Sequence, residues 1–91
     1  MQVKYHKDFI KDISKIRLQS VLDAIEERDK EIKACESLAE FVNLPTVTKL
    51  VNFKDYYRVR VGNYRIGVKI IDGIVHYARF AIRSKIYQIF P

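Results

Sequence analysis

The side chains best suited to chemistry in this sequence are arginines in its second half. Arg58, Arg60 and Arg65 fall within one short stretch, and Arg83 follows close to the C-terminus. A guanidinium binds phosphate through parallel hydrogen bonds and can stabilise the extra negative charge of a pentacoordinate phosphorus. Tyr87 adds an aromatic ring that can stack on a splayed base. These residue types predict the binding of a phosphodiester and chemistry upon it.

The distribution of charge points to the same kind of ligand. Residues 1–50 hold nine Lys/Arg and nine Asp/Glu, whereas residues 51–91 hold eight Lys/Arg and two Asp/Glu. The net charge of +6 therefore arises entirely in the C-terminal half, where five of the eight cations are arginine. Such an imbalance favours a polyanionic partner, with an ordinary solvated surface as the alternative.

RNA is the polyanion whose cleavage suits this set of side chains. The ribose 2′-hydroxyl can attack the adjacent phosphate without a metal, and the reaction then needs a base, a charge stabiliser and an acid. Two separated histidines, one cysteine and scattered carboxylates give no metal-ligand spacing. We therefore expect no metal and no other cofactor.

Length and composition predict one globular domain over residues 1–91. Hydrophobic residues make up 48% of the chain and charged residues 31%, which is typical of a folded rather than a disordered protein. No apolar run is long enough to span a membrane, and the first residues do not form the apolar core of a secretory signal. Cys35 is the only cysteine, so no internal disulfide can form. These features favour a cytoplasmic protein without a membrane partner.

The N-terminal half predicts a short strand followed by a helical hairpin. Residues 1–5 alternate between polar and apolar, as an edge strand does. Apolar residues then recur on one helical face in two stretches, from Phe9 to Ile16 and from Leu18 to Ile32. No Gly or Pro interrupts residues 6–42, whereas the segment Asn-Leu-Pro at 43–45 breaks the pattern. Residues 46–53 are predicted to form a loop.

The C-terminal half predicts an antiparallel meander. β-Branched and aromatic residues alternate through YYRVRVGNYRIGVKIIDGIVHYARFAI, interrupted by Gly62-Asn63, which suits a type II′ turn, and Asp72-Gly73, which suits type I′. Strands are expected at about 56–61, 64–71 and 74–81. The fold class is therefore α+β: a short N-terminal strand, a helical hairpin and a twisted antiparallel sheet of three further strands.

This register assigns the side chains of the meander to two sheet faces. The apolar face is expected to lie under the helices, and it carries Tyr57, Val59, Val61, Tyr64, Ile66, Val68, Ile70, Val75 and Tyr77. The opposite face carries four cations, Arg58, Arg60, Arg65 and Lys69, together with His76. Arg60 and Arg65 are expected to lie opposite each other, which is unfavourable unless an anion binds there. Gly67 leaves the backbone bare among these cations, where a ligand could approach closely.

Three segments together resemble the RelE/ParE toxin superfamily. They are Lys49-Leu50, the stretch YYRVRVGNYRIG, and IRSKIY near the C-terminus, followed by a closing Phe-Pro. The pattern is a Tyr-Arg-x-Arg-x-Gly strand, a Tyr-Arg-x-Gly strand after a tight turn, and a late Arg-x-x-x-Tyr. The resemblance covers the whole chain in its order of elements and implies a RelE-like fold.

The resemblance implies a toxin of a type II toxin–antitoxin system and leaves its target open. RelE-like members are ribosome-dependent endoribonucleases, or mRNA interferases, whereas ParE-like members inhibit DNA gyrase without catalysis. Both kinds are neutralised by a small antitoxin encoded beside them. The arginine cluster favours the endoribonuclease, with mRNA on the ribosome as its partner. A gyrase inhibitor is the alternative, and a non-toxic RNA-binding domain of the same fold is a third hypothesis.

The resemblance also implies roles for single residues. Arg58 and Arg60 match two basic strand positions that contact the substrate and serve acid–base steps, and Arg65 matches the arginine that holds the scissile phosphate. Arg83 matches the C-terminal arginine, and Tyr87 the tyrosine that stacks on a base. Two departures leave the general base unassigned. Arginine does not readily lose a proton, and Ile82 stands where many relatives carry a histidine.

Several further residues are weaker candidates for contact with RNA. Lys69 and His76 share the predicted cationic face and are chemical substitutes for the missing base, while Lys49 and Lys54 are loop cations that can touch the RNA backbone. Tyr56 and Phe90 are aromatic residues that can stack on bases. Each has a plain alternative as a solvated or packed side chain. The cognate antitoxin is expected to lay an acidic segment across the Arg58–Arg65 face.

Overall fold

The computed structural model describes residues 1–91, and it is built from five strands and four helices. In chain order these elements are β1 (Val3–Tyr5), α1 (Lys7–Ile13), α2 (Gln19–Ala34), α3 (Leu38–Val42), β2 (Val47–Lys49), β3 (Tyr56–Val61), β4 (Tyr64–Ile71), β5 (Ile74–Ile82) and α4 (Arg83–Ile89). No helix has the length and apolar character needed to cross a membrane.

All five strands form one sheet in the order β1-β5-β4-β3-β2. The strands β2 to β5 are antiparallel to their neighbours, and β1 lies parallel to β5 at the edge. The predicted α+β class, the N-terminal edge strand, the hairpin of α1 and α2 and the three-stranded meander are confirmed. The structure adds the short helix α3 and ends in a further helix, α4.

The prediction of only three further strands is wrong by one, because β2 lies within residues 46–53. This strand has three residues, too few for an alternating pattern to show. Its position depends on pairing with β3, where Val47 lies opposite Val59. Backbone hydrogen bonds from Arg60 N–H to Thr46 O (2.8 Å) and from Leu50 N–H to Tyr56 O (2.9 Å) extend that pairing at both ends.

The predicted register of the meander is confirmed, because the pairs that follow from the two predicted turns are present, from Arg60 opposite Arg65 to Lys69 opposite His76. Positive φ angles at Gly62 (58°), Asp72 (51°) and Gly73 (75°) fit the predicted type II′ and type I′ turns. Beyond the predicted pairs, the register shifts between Gly67 and Val68. The extra residue in β5 there lets two aromatic residues three apart, Tyr77 and Phe80, both enter the main core.

The main core lies between the helices and the apolar sheet face. Eight of the nine predicted residues of that face are buried, and the ninth, Tyr64, packs against them. The helices contribute Phe9 from α1, Ile25 and Ile32 from α2, and Phe41 from α3. Ile25 and Ile32 lie seven residues apart, which is about two helical turns, so α2 presents one apolar side to the sheet.

An ion pair fixes α1 to the sheet at the rim of this core. The Asp12 carboxylate accepts hydrogen bonds from Arg79 Nε (2.8 Å) and from the Phe80 N–H (2.9 Å). Burial alone would raise the pKa of Asp12, but the hydrogen bonds from Arg79 and Phe80 outweigh it and hold the pKa below its ordinary value. Arg79, one of the cations of the basic half, thus has a structural partner.

A second, smaller core lies on the opposite sheet face. Leu50, Ile86 of α4 and Phe90 form it, with Tyr56, Ala78 and other partly buried residues around them. Since α4 packs on the face predicted to carry the cations, only part of that face remains open.

Candidate nucleic-acid cleft

Beside α4, the open part of the second sheet face forms a cleft of about 230 Å³. Its lining is almost entirely polar and contains four arginines: Pro45, Thr46, Thr48, Arg58, Arg60, Arg65, Arg83 and Tyr87. The cleft lies between the start of β2, the strands β3 and β4, and the start of α4. Its chemistry is set by guanidinium groups and hydroxyls, and no carboxylate, lysine or histidine lines it.

All five residues predicted to be catalytic meet in this cleft. Strand alternation places Arg58 and Arg60 on one face of β3, and the hairpin register places Arg65 of β4 opposite Arg60. Arg83 is the first residue of α4, and Tyr87 follows four residues later on the same side of that helix. The meander thus positions three of the five side chains, and α4 the other two.

Arg58 is held between the C-terminus and Tyr87. Its Nη2 donates a hydrogen bond to the carbonyl oxygen of Phe90 (3.3 Å). Its guanidinium carbon lies 4.1 Å from the centre of the Tyr87 ring, a cation–π geometry. Tyr87 is 58% exposed, so this contact still leaves much of its ring open to solvent.

Arg65 is fixed by the turn that precedes it. Its Nη1 donates to the carbonyl oxygens of Gly62 (2.9 Å) and Tyr64 (2.8 Å). Burial, and then the positive charges of Arg83 and Arg60, lower the pKa of Arg65 below its ordinary value. An anion bound among the three arginines would offset the repulsion between their charges, which contributes to this lower pKa.

Two threonines of the cleft escaped the sequence analysis. Thr48 lies opposite Arg58 on β2, and Thr46 precedes that strand. Thr46 Oγ1 and Arg58 Nε are the buried side-chain polar atoms that have no hydrogen-bond partner in this protein, and both residues line the cleft. A phosphate or ribose oxygen bound in the cleft could pair with such atoms. No signal in the sequence marked these threonines, because β2 itself was not predicted.

Lys69 and His76 lie on the same sheet face but outside the cleft. The Lys69 ammonium is 4.9 Å from the centre of the Tyr56 ring, and His76 Nδ1 is 2.7 Å from His6 Nε2. These contacts hold both residues toward the opposite end of the sheet. As proposed substitutes for a general base, they are not brought together with the arginines.

Lys49 and Lys54 line a separate depression at the connection from β2 to β3. Lys49 lies opposite Tyr57 in the ladder, and its ammonium is 5.5 Å from the centre of that ring. Since Tyr57 belongs to the helix-facing side, Lys49 points away from the cleft face. The structure therefore does not group these two lysines with the arginines.

The expectations for Gly67 and Phe90 are wrong for a shared reason. Gly67 is buried under the Phe90 ring, and a Cβ built on it would lie 2.5 Å from Phe90 Cδ2. The close approach that this glycine permits is used by the chain's own C-terminus. Phe90 is only 4% exposed, so its ring cannot stack on a base. Tyr56, whose ring centre is 5.5 Å from that of Phe90, is partly buried by the same contact.

Comparison with known proteins identifies the family. The chain matches, over residues 3–87, the family described as ParE toxin of type II toxin-antitoxin system, parDE. It is 34% identical to Toxin RelE3 of Methanocaldococcus jannaschii over 93 aligned positions, which cover 100% of both chains.

Solved structures show the same fold. A chain of the RelB-RelE antitoxin–toxin complex from Methanococcus jannaschii has a TM-score of 0.75 and 31% identity, covering 96% of this chain and 98% of that one. YafQ from E. coli has a TM-score of 0.67 at 16% identity, covering 94% and 97% of the two chains. Since the family match spans nearly the whole sequence and a relative aligned over its full length is 34% identical, this chain belongs to the RelE/ParE family of type II toxin–antitoxin system toxins.

Proposed function

We propose that this toxin is a ribosome-dependent endoribonuclease that cleaves translated mRNA in the arginine cleft. The observation that carries the proposal is the convergence of four guanidinium groups and an exposed tyrosine ring on one small cleft. A protein that only blocked a partner would not need several phosphate ligands directed at one point. This action places the protein in the cytoplasm, with the translating ribosome as the source of its substrate.

The proposed reaction uses the RNA's own nucleophile. The ribose 2′-hydroxyl oxygen attacks the adjacent phosphorus, and the bond from phosphorus to the 5′-oxygen of the next nucleotide breaks. The departing 5′-oxygen takes a proton from water or from a group of the ribosome, so the products are a 2′,3′-cyclic phosphate and a 5′-hydroxyl. Arg65 and Arg83 bind the non-bridging phosphate oxygens and stabilise the charge that they gain in the transition state. Tyr87 stacks on a base next to the scissile phosphate, and Arg58 braces its ring.

The proton steps in this scheme rely on charge arrangement rather than on a dedicated base. Arginine retains its proton under all ordinary conditions, so none of the four can act as a general base. The proton of the 2′-hydroxyl therefore passes to water or to a group of the ribosome. The clustered positive charge favours this loss, because it lowers the pKa of a hydroxyl beside it.

The missing base is also the observation that favours the second candidate function, inhibition of DNA gyrase without catalysis. On that alternative, the cationic cleft would be a binding surface for the enzyme or for its DNA. The two candidates differ in what happens to messages inside the cell, and an experiment can separate them.

We also propose a cognate antitoxin as partner. The related chain from Methanococcus jannaschii was solved as an antitoxin–toxin complex. In this protein, the exposed cationic cleft is complementary to an acidic segment of such an antitoxin. The bound segment would neutralise the charge of the cleft and at the same time prevent RNA from entering it. Removal of that segment from the antitoxin should restore toxicity. Neutralisation that persists without it would contradict this arrangement.

The test is induced expression in a bacterium, followed within minutes by mapping of new RNA 5′ ends. We expect cuts inside translated codons for the wild type and their loss in Arg65→Ala. Lys85→Ala is the matched control, because Lys85 lies on α4 outside the cleft and should leave the cuts in place. Growth arrest with intact messages and broken DNA would overturn the nuclease proposal in favour of gyrase.

A further inference from the structure

A second row of charged and aromatic side chains crosses the sheet on the face that holds the cleft. In the ladder, Tyr56 of β3 lies opposite Lys69 of β4, Lys69 opposite His76 of β5, and His76 beside Lys4 of β1. Residues that pair in this way project from the same face of a sheet. The row spans four strands, which corresponds to about 14 Å.

One end of the row is aromatic. Phe53 is 48% exposed, and its ring centre lies 6.0 Å from that of Tyr56. Tyr56 in turn supports the Lys69 ammonium at 4.9 Å from its ring centre. An exposed ring followed by a supported cation is the combination on which a base can stack while the adjoining phosphate is neutralised.

The other end of the row holds one lysine and two imidazole rings. Lys4 is exposed, and His6, the residue that follows β1, contacts His76 at 2.7 Å. Asp72, in the turn between β4 and β5, is the acidic group whose charge acts on His76. The row proper contains no carboxylate, so it remains complementary to a polyanion.

The C-terminal ring separates this row from the cleft. Along β4, Arg65 lines the cleft, Gly67 lies under Phe90, and Lys69 belongs to the row. Four residues of strand put Arg65 and Lys69 about 13 Å apart. A chain that passed over Phe90 could therefore touch both sites without sharply bending.

We propose that the row of Phe53, Tyr56, Lys69, His76 and Lys4 is an accessory binding surface for single-stranded RNA flanking the scissile phosphate. It rests on the proposed function, because it would hold the message whose cleavage takes place in the cleft. Single-stranded RNA is favoured over an acidic protein because the row joins the exposed ring of Phe53 to the cations Lys69 and Lys4, and unpaired bases supply faces for stacking. The row would thus contribute affinity for RNA rather than catalysis.

The test measures binding of the purified full-length toxin to a fluorescent oligouridine, by anisotropy over a range of salt concentrations. Lys4→Gln combined with Lys69→Gln should weaken binding and reduce the slope of log affinity against log salt by about 1.4, since each phosphate contact on a single strand contributes about 0.7. Phe53→Ala should weaken binding about fivefold or more, from the loss of one stacked base. Lys11→Gln with Lys30→Gln is the matched control, because it removes two exposed lysines from the helices.

Unchanged affinity and salt slope in the row variants would overturn the proposal, as would an equal loss in the helix control. If the row variants bound oligouridine normally but lost affinity for the antitoxin, the row would belong to that partner. The outcome is also separable from that of the proposed function. If messages stayed intact in cells while the row still bound oligouridine, the nuclease proposal would be wrong and the proposed RNA-binding surface would be supported.

Discussion

The two faces of the sheet are held in place by different forces, although the same strands supply both. On the helix-facing side, Val59, Ile66 and Val68 are completely buried in the main core. On the other side, β3 and β4 present arginines, and only the small cluster around Phe90 is buried. Because side chains alternate along a strand, neighbouring residues lie on opposite faces. Arg65 therefore lines the cleft, whereas Ile66 packs in the main core.

This difference shows how a sheet can carry unfavourable charge. Arg60 lies directly opposite Arg65, an arrangement that weakens a strand pair when nothing else supports it. The apolar face beneath supplies the free energy that holds the pair in register. Stability should therefore depend mainly on one face and the proposed RNA cleavage on the other.

The largest expected effect on stability comes from the apolar face. Ile66→Ala should lower the free energy of unfolding by about 2–5 kcal/mol, because it leaves a cavity in a close-packed core. Urea denaturation measures this change. Ile71→Ala, at a position 40% exposed on the same strand, is the control and should cost no more than about 0.5 kcal/mol. Similar costs at both positions would contradict the assignment of stability to the buried face.

An intermediate effect is expected where the second face is packed. Gly67→Ala introduces a Cβ that meets the Phe90 ring, so it should destabilise the protein by about 1–3 kcal/mol, as overpacking does. It should also disturb α4 and with it the positions of Arg83 and Tyr87. In a Phe90→Ala background the same substitution has no ring to displace. The cost of Gly67→Ala should then fall, and an unchanged cost in this double-mutant cycle would exclude the ring as its cause.

The extent to which the sequence predicted the sheet follows from the length of its patterns. Strands β3 to β5 have six to nine residues each, enough for alternation to fix both register and faces. The three-residue β2 carries no such pattern, and it exists through its pairing with β3. The burial of Gly67 under Phe90 was equally hidden, because the docking of a C-terminal segment is a tertiary event that local periodicity does not encode.

The residues of the candidate site also fall into those that the sequence predicted and those that it did not. The hairpin register alone brought Arg58, Arg60 and Arg65 together, while the family resemblance added Arg83 and Tyr87 to the same site. Thr46 and Thr48 were missed together with β2. The contact between His6 and His76 was missed because it depends on the parallel pairing of β1 with β5, two strands at opposite ends of the sequence.

A small effect of opposite sign is expected from the charged pair itself. Arg60→Ala removes one of two like charges that face each other, so it should raise the free energy of unfolding by about 0.2–1 kcal/mol. Added salt should shrink this gain, because it screens the repulsion. Denaturation at low and high salt checks both statements. Arg17→Ala, at an exposed position between α1 and α2, is the matched control. A destabilised Arg60→Ala would show that this arginine supports the fold.

The smallest expected effect is a dependence of stability on pH, which should arise at the histidine end of the second face and not at the arginine end. Burial, and then the charges of His6, Lys4 and Lys69, lower the pKa of His76 below its ordinary value. Between the lowered and the ordinary pKa, the unfolded chain binds more protons than the folded one, so stability should decrease as the pH falls through this window. Protonation of both rings would also break the contact between His6 and His76, since one nitrogen must accept the hydrogen bond.

Unfolding measured at pH 7.5 and 5.5 should therefore show a loss of stability that His76→Gln reduces. The stabilising effect of Arg60→Ala should stay constant over the same range, because arginine keeps its proton throughout. If His76→Gln left the pH dependence unchanged, the loss would have to come from groups elsewhere in the chain. If both variants changed it equally, the two ends of the face would be electrostatically coupled across Phe90, and the separation of cleft from row would fail.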